Sequence, residues 1–135
     1  MGIVIDTNIF IDAENDRFNL AHLSKFQHHG TGFISVITVS ELLAGVHMAK
    51  STSIRIQRSA FVETIINKMP ILAFSEEIAR TYAELYSHFI KAKNKQESNV
   101  HDLQIAATAI THGYAVLSSN IKDFKKIPGL QVESP

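Results

Sequence analysis

The stretch Ile3-Val4-Ile5-Asp6-Thr7-Asn8 decides the fold of this chain. Its apolar residues predict a short buried strand, and the polar residues after them predict the passage into a helix that starts near Ile9. Asp6 would then stand at the carboxyl end of a first parallel strand, which is the edge where open α/β sheets bind ligands. A carboxylate in that place is either a metal ligand or the N-cap of the next helix, and this stretch alone leaves both open.

Short apolar runs alternate with amphipathic segments along the rest of the chain. Further strands are predicted near residues 33–37, 70–74, 115–118 and 130–132. Helices are predicted near residues 9–14, 19–28, 53–67, 75–93 and 103–112, with another opened by residues 38–41. This alternation predicts a parallel sheet with right-handed crossovers, and the segments after residues 38 and 53 predict a protruding helical hairpin. The length of 135 residues predicts a single domain over residues 1–135.

The composition is that of an ordinary globular protein, with 45% hydrophobic and 19% charged residues. Thirteen basic and thirteen acidic residues cancel, so the overall charge does not indicate a strongly basic nucleic-acid binder. The absence of cysteine excludes disulfides and thiolate chemistry and fits a cytoplasmic protein. No run approaches the roughly 18 apolar residues that span a bilayer, so we expect no membrane segment, and no signal peptide is apparent.

Acidic residues stand at equivalent places in the predicted units. Asp6 ends the first strand, Glu41 follows the second, Asp102 opens the helix before the fourth, and Asn120 and Asp123 follow the fourth. If the strands are parallel, these places share one edge of the sheet. Carboxylates that converge there would raise one another's pKa unless a cation is present, and oxygen ligands favour Mg²⁺ or Mn²⁺ over zinc. Such ions serve the hydrolysis of phosphodiesters.

Helix capping is the alternative interpretation of each acid taken alone. Thr38-Val39-Ser40-Glu41 matches a capping box, and Asn99 to Asp102 has a similar spacing. A cap stabilises a helix by only about 1 kcal/mol. Capping does not require acids at the same end of three separate units, so the set as a whole carries the functional hypothesis.

In order and spacing, these motifs resemble those of PIN-domain ribonucleases, in particular VapC-type toxins of toxin–antitoxin systems. The resemblance covers nearly the whole chain, and each motif is weak alone while the ordered set is specific. The motifs are Ile5-Asp6-Thr7-Asn8, Ser40-Glu41-Leu42-Leu43-Ala44-Gly45-Val46, His101-Asp102-Leu103-Gln104-Ile105-Ala106-Ala107-Thr108-Ala109, Gly113-Tyr114-Ala115-Val116-Leu117-Ser118-Ser119-Asn120 and Asp123-Phe124.

The resemblance implies a five-stranded parallel sheet flanked by helices and a Mg²⁺- or Mn²⁺-dependent endoribonuclease. The family's metal-binding acids correspond to Asp6, Glu41 and Asp102. Family members often place a fourth acid where this chain has Asn120, and that departure puts a second metal ion in doubt. We expect Asp123 to share the fourth role with Asn120. The side chains expected to orient carboxylates or water are Thr7 and either Ser118 or Ser119.

The resemblance also implies partners. Hydrolysis would leave a 5′-phosphate and a 3′-hydroxyl on a transfer or ribosomal RNA. The protein would be a homodimer, inhibited by a VapB-type antitoxin whose C-terminal segment enters the acidic pocket. Lysines near the acidic edge either hold RNA phosphates or belong to solvated faces, and the candidates are Lys91, Lys93, Lys95 and Lys122. His101 adjoins Asp102 and could touch the substrate.

Two other functions compete with this one. A weakly active or inactive PIN-like module that binds RNA or protein is favoured by Asn120, and such a module would bind RNA equally well in EDTA. A phosphotransfer domain with Asp6 as nucleophile is disfavoured, because haloacid dehalogenase-like enzymes need a second Asp where this chain has Asn8.

Overall fold

The computed structural model describes residues 1–91 and 99–135. The strands, in chain order, are β1 (Gly2–Ile5), β2 (Thr31–Ser35), β3 (Ile71–Leu72), β4 (Ala115–Leu117) and β5 (Val132–Glu133). The α-helices are α1 (Thr7–Glu14), α2 (Val36–His47), α3 (Thr52–Lys68), α4 (Glu76–Lys91), α5 (Val100–His112) and α6 (Ile121–Phe124). A 3₁₀ helix, Leu20–His29, lies between α1 and β2.

The five strands form one parallel sheet in the order β3-β2-β1-β4-β5. The predicted fold class, a five-stranded parallel sheet flanked by helices, is therefore confirmed. The order runs outward in opposite directions from β1, so the sheet has its topological switch point between β1 and β4. Ligands of open α/β sheets bind at the carboxyl ends of the strands at such a point.

Both faces of the sheet are covered by apolar side chains, as a parallel sheet requires. On β1, Val4 packs into one core together with helices α4 and α5, while Ile3 and Ile5 pack into a second core on the other face. The helices α2 and α3 pack together as the predicted hairpin and contribute Leu42 and Val62 to the second core. This burial holds the carboxyl ends of β1 and β4 side by side.

The second strand and its helix differ from the prediction. The structure ends β2 at Ser35 and begins α2 at Val36, whereas the sequence predicts a strand to residue 37 and a helix opened by residues 38–41. The Ser35 hydroxyl accepts a 3.0 Å hydrogen bond from the N–H of Ile37, which caps α2. The β-branched residues Val36 and Ile37 favour a strand, and this local cap overrides their preference.

The helix predicted near residues 19–28 is a 3₁₀ helix. Leu20, Leu23 and Phe26 are spaced by three, which matches the 3.0 residues per turn of a 3₁₀ helix better than the 3.6 of an α-helix. All three pack against the second core. The expectation of a helix is right in position, and the spacing identifies its type.

The remaining differences lie at element ends. Strand β3 is limited to Ile71–Leu72, and β5 lies at Val132–Glu133 rather than near residues 130–132. The predicted extension of α4 to Lys93 lies outside the described residues. In the described parts of the chain, before residue 92 and after residue 98, no helix has the length and apolar character needed to cross a bilayer.

Candidate active site

Asp6 and Ser118 occupy the switch point of the sheet. Asp6 directly follows β1 and Ser118 directly follows β4, and both are buried, with 1% and 0% of their surface exposed. The Ser118 hydroxyl donates a 2.8 Å hydrogen bond to Asp6 Oδ2 and accepts one of 2.9 Å from the backbone N–H of Asn120. A neutral donor from one strand therefore fixes the carboxylate that follows the neighbouring strand.

Thr7 joins this pair to helix α2. Its hydroxyl donates a 2.7 Å hydrogen bond to Glu41 Oε1 and lies 2.9 Å from the hydroxyl of Thr38. Thr7 and Thr38 are buried, and Glu41 is partly exposed. The predicted role of Thr7, orienting a carboxylate, matches this contact.

Helix α5 brings His101 and Asp102 to the same edge. Asn99 caps α5 by accepting a 2.8 Å hydrogen bond from the N–H of His101. The His101 Nδ1 atom lies 3.1 Å from Glu41 Oε2. The two oxygens of Glu41 are thus engaged by two different helices, Oε1 by Thr7 of α1 and Oε2 by His101 of α5.

Asn120 and Asp123 lie at the start of α6 and contact each other. The Asn120 side-chain amide donates a 2.9 Å hydrogen bond to Asp123 Oδ2, and both side chains are partly buried. This arrangement leaves the carbonyl oxygen of Asn120 free of that contact, so the pair offers one carboxylate and one amide oxygen where two acids would stand in a fully acidic site.

The ionisation of the acids reflects their closeness. Burial raises the pKa of Asp6 from its ordinary value of 3.8 to about 6, although the Ser118 hydroxyl and the nearby backbone N–H groups of Thr7 and Asn8 partly offset the rise. Burial also raises the pKa of Asp102 from 3.8 to about 7, with further rises from three nearby carboxylates, those of Asp6, Glu41 and Asp123. These four side chains therefore share one electrostatic environment.

A divalent cation fits this set by the chemistry of its donors. They are carboxylate and amide oxygens, which Mg²⁺ and Mn²⁺ prefer. A bound cation would also neutralise the repulsion between the carboxylates. Among residues 1–91 and 99–135, no group of three acidic or histidine side chains already stands in metal-binding arrangement. The hydrogen bond from His101 to Glu41 is one contact that holds the acids in their present positions.

The capping alternative fails for two of the three acids. Asp6 precedes α1 but makes no side-chain capping hydrogen bond to it. Glu41 is the sixth residue of α2, more than a turn beyond its start, which excludes the alternative of a capping box at Thr38. Asp102 does lie in the first turn of α5, where its charge suits the helix dipole, but Asn99 supplies the cap.

Of the other predicted site residues, one contacts an acid of the site, three are exposed, and two lie outside the described residues. Between the two serines, Ser118 contacts Asp6, whereas Ser119 is exposed. Lys122 is exposed on α6, one residue from Asp123, and Lys91 is exposed at the C-terminal end of α4. Lys93 and Lys95 lie outside the described residues.

Two contacts of the site are missing from the sequence prediction. Thr38 is read from the sequence as a helix cap, and its contact with Thr7 depends on where α2 begins. His101 is adjacent to Asp102 in sequence, but its contact with Glu41 joins residues 60 positions apart. The one available signal for Thr38 is its spacing of three from Glu41, which places both on one face of a helix.

Comparison with known proteins agrees with this geometry. The family model of the PIN domain matches residues 3–130. The chain belongs to the PIN domain family. It is 40% identical over 132 residues to ribonuclease VapC1 of Rickettsia felis, covering 98% of this chain and 95% of that protein. It is 36% identical over 132 residues to ribonuclease VapC of Rickettsia bellii, again covering 98% of this chain and 95% of the relative.

A solved structure shares the PIN fold over the whole chain. The crystal structure of VapBC2 from Rickettsia felis, bound to a DNA fragment from their promoter, superposes with a TM-score of 0.86 at 28% identity. The match covers 100% of this chain and 99% of that one. The resemblance to VapC-type PIN proteins drawn from the motifs is therefore confirmed.

Proposed function

We propose that this PIN-domain protein is an endoribonuclease that acts as the toxin of a toxin–antitoxin pair. Two relatives that it matches over nearly their full length are named ribonucleases of the VapC type. A structure that it matches over its full length is a VapBC assembly. The observation that carries the proposal is the joining of Asp6 and Glu41, through Ser118 and Thr7, at the carboxyl ends of β1 and β4, beside Asp102, whose pKa is raised by burial and by the neighbouring carboxylates.

We infer further that catalysis depends on Mg²⁺ or Mn²⁺, held by Asp6, Glu41 and Asp102. A bound divalent ion would polarise the scissile phosphate and make water a better nucleophile at neutral pH. The residues around these acids have separate tasks: Ser118 fixes Asp6, Thr7 fixes Glu41, and Asn120 with Asp123 completes the fourth position. The exposed Lys122 would attract RNA phosphates to the rim.

The relatives' names, ribonuclease and VapBC, support an RNA substrate and an antitoxin partner for this chain. The RNA substrate would be a transfer or ribosomal RNA, and the inhibitor a VapB-type antitoxin that reaches the acidic pocket. We also propose that residues 1–135 form a single PIN-like domain, that the protein is a homodimer, and that it acts in the cytoplasm.

A non-catalytic binding module is the second candidate, favoured by one observation. Asn120 stands where a fourth acid is common, and its amide group is turned toward Asp123. This arrangement lacks one negative charge. Under this alternative the acidic pocket would hold RNA or protein without cutting RNA.

One experiment separates these functions. Purified protein freed of antitoxin is incubated with total RNA in Mg²⁺ or Mn²⁺, beside an EDTA control and the variant Asp6→Asn, and cleaved ends are mapped by sequencing. The endoribonuclease predicts discrete cuts that vanish in both controls. RNA binding without cleavage, unchanged by EDTA, would contradict it and favour the binding module, and Asn120→Asp would then test whether the missing charge is the cause.

A further inference from the structure

We propose that Thr38 is a positioning residue for the carboxylate of Glu41 and acts through the hydroxyl of Thr7. This inference rests on the proposed function, because it concerns how the metal-binding acids are held. Thr38 is fully buried, so it would not contact RNA or a metal ion directly.

Helix geometry brings Thr38 to this place. Thr38 and Glu41 are three residues apart on α2, so their side chains lie on the same face, one turn apart. That face meets Thr7, the first residue of α1, whose hydroxyl lies 2.9 Å from the Thr38 hydroxyl and 2.7 Å from Glu41 Oε1. The three groups form a chain that joins α2 to α1 and returns to α2.

The direction of the hydrogen bonds follows from counting protons. A carboxylate only accepts, so the single hydroxyl proton of Thr7 is given to Glu41. Thr7 then has no proton left for Thr38, and the 2.9 Å contact between them must be a donation from Thr38 to Thr7. Thr38 is therefore the residue that sets which way the Thr7 hydroxyl points.

The consequence is a fixed carboxylate before any ion binds. Without the Thr38 proton, the Thr7 hydroxyl can turn and act as donor elsewhere, which releases Glu41 Oε1. Among residues 1–91 and 99–135, the contact then left to Glu41 would be the 3.1 Å one between its other oxygen and the exposed His101. Hydrogen-bond partners that orient a metal ligand contribute roughly 10- to 100-fold to metal affinity.

The test measures the affinity of the RNA-free protein for Mn²⁺. The electron paramagnetic resonance signal reports the concentration of unbound Mn²⁺ in the titration. Thr38→Val keeps the shape of the side chain and removes the hydroxyl. We expect it to weaken Mn²⁺ binding roughly 3- to 10-fold, less than a direct partner because the effect passes through Thr7. Thr38→Ser, which keeps the hydroxyl, should restore the affinity.

Thr108→Val is the matched control. Thr108 is also fully buried, and its hydroxyl donates to the backbone oxygen of Gln104 within α5. Losing this hydroxyl should lower the melting temperature without changing Mn²⁺ affinity. Equal Mn²⁺ affinities for Thr38→Val and Thr108→Val would overturn the positioning role.

A double-mutant cycle tests the route through Thr7. In a Thr7→Val background, Thr38→Val should cause no further loss of Mn²⁺ affinity, whereas independent additive losses would overturn the inference. If Thr38→Val fails to fold, Thr38→Ala enters the same cycle. Asp6→Asn is measured beside them. Unchanged Mn²⁺ binding in Asp6→Asn would remove the proposed metal site itself, whereas its loss together with a neutral Thr38→Val would overturn only the role of Thr38.

Discussion

The two halves of the acidic pocket are built differently. The ordered half consists of Asp6, Thr7, Glu41 and Ser118, in which hydroxyl groups donate to both carboxylates at 2.7 and 2.8 Å. The open half consists of Asp102, Asn120 and Asp123, in which one amide donates to one carboxylate and the pKa of Asp102 rises to about 7.

This difference shows which carboxylates of the site are held in place before a metal ion binds. Neutral donors fix the ordered half whether or not an ion is present, because their hydrogen bonds need no counter-charge. In the open half, Asp102 is disfavoured as a carboxylate by burial and by repulsion from Asp6, Glu41 and Asp123, and a cation would compensate both effects. The two halves should therefore respond differently to substitution, to pH and to added ions.

Removing the charge of Asp102 should have the largest effect on cleavage. We expect Asp102→Asn to reduce the rate of RNA cleavage by at least roughly 100-fold. Loss of a metal-binding carboxylate should lower the rate more than loss of a side chain that only hydrogen-bonds to such a carboxylate. The rate is measured on the mapped RNA target at saturating Mg²⁺. A variant that keeps wild-type cleavage would show that the open half is not part of the metal site.

Two adjacent serines allow a matched test of the ordered half. Ser118→Ala removes the hydroxyl that holds Asp6 Oδ2, and we expect cleavage to fall roughly 10- to 100-fold. Ser119→Ala, one residue away on an exposed side chain, should stay within about threefold of wild type. Equal losses in the two variants would mean that the effect of Ser118 is not its contact with Asp6.

The open half should make the metal-free protein less stable as pH rises. The pKa of Asp102 is raised from 3.8 to about 7, so between these values the folded chain binds more protons than the unfolded chain and stability falls with increasing pH. We expect Asp102→Asn to raise the free energy of unfolding at pH 8 in EDTA by about 1–2 kcal/mol, after a discount for partial exposure. Urea unfolding at pH 5 and pH 8 measures it.

The control for that experiment is Mg²⁺. Added Mg²⁺ should stabilise the wild-type protein at pH 8 more than it stabilises Asp102→Asn, because the ion relieves the same repulsion. A wild-type protein whose stability does not fall between pH 5 and pH 8 would contradict the crowding of carboxylates in the open half.

The smallest expected effect concerns the rim. Lys122→Ala should weaken binding of single-stranded RNA a few-fold and lower the slope of log affinity against log salt by about 0.7, the value for one phosphate contact. Lys68→Ala is the matched control, because Lys68 is exposed at the end of α3, before β3 begins, at the opposite edge of the sheet. Filter binding at several salt concentrations distinguishes them, and equal slopes would remove Lys122 from the RNA surface.

The sequence was sufficient to predict the strand-end residues of the site. Asp6 and Ser118 follow apolar runs short enough to be buried strands, and parallel pairing places such ends together. The position of Asp102 in the first turn of a helix could be predicted from Asn99, a typical capping residue, and from the long apolar segment that follows. These predictions depend only on local patterns and on one rule of sheet topology.

Contacts across the fold could not be predicted in the same way. The spacing of Glu41 from Thr38 also allowed a capping box, but α2 begins three residues earlier than that alternative requires, and Glu41 contacts Thr7 instead. The earlier start of α2 is capped by the Ser35 hydroxyl, although Val36 by itself prefers a strand. Pairings such as Glu41 with His101 depend on the packing of α2 and α5, for which no local pattern exists.

The most direct test of the account is a crystal structure of the protein grown in millimolar Mn²⁺, with the ion located by anomalous scattering. We expect an ion bound by carboxylate oxygens of Asp6 and Asp102, with Glu41 within reach through a direct or water-mediated contact. Asp6 and Ser118 should keep the positions described above, and Asp102 should move toward the ion. Protein that cuts RNA only with Mn²⁺, yet binds the ion elsewhere or leaves this pocket empty, would contradict the central claim.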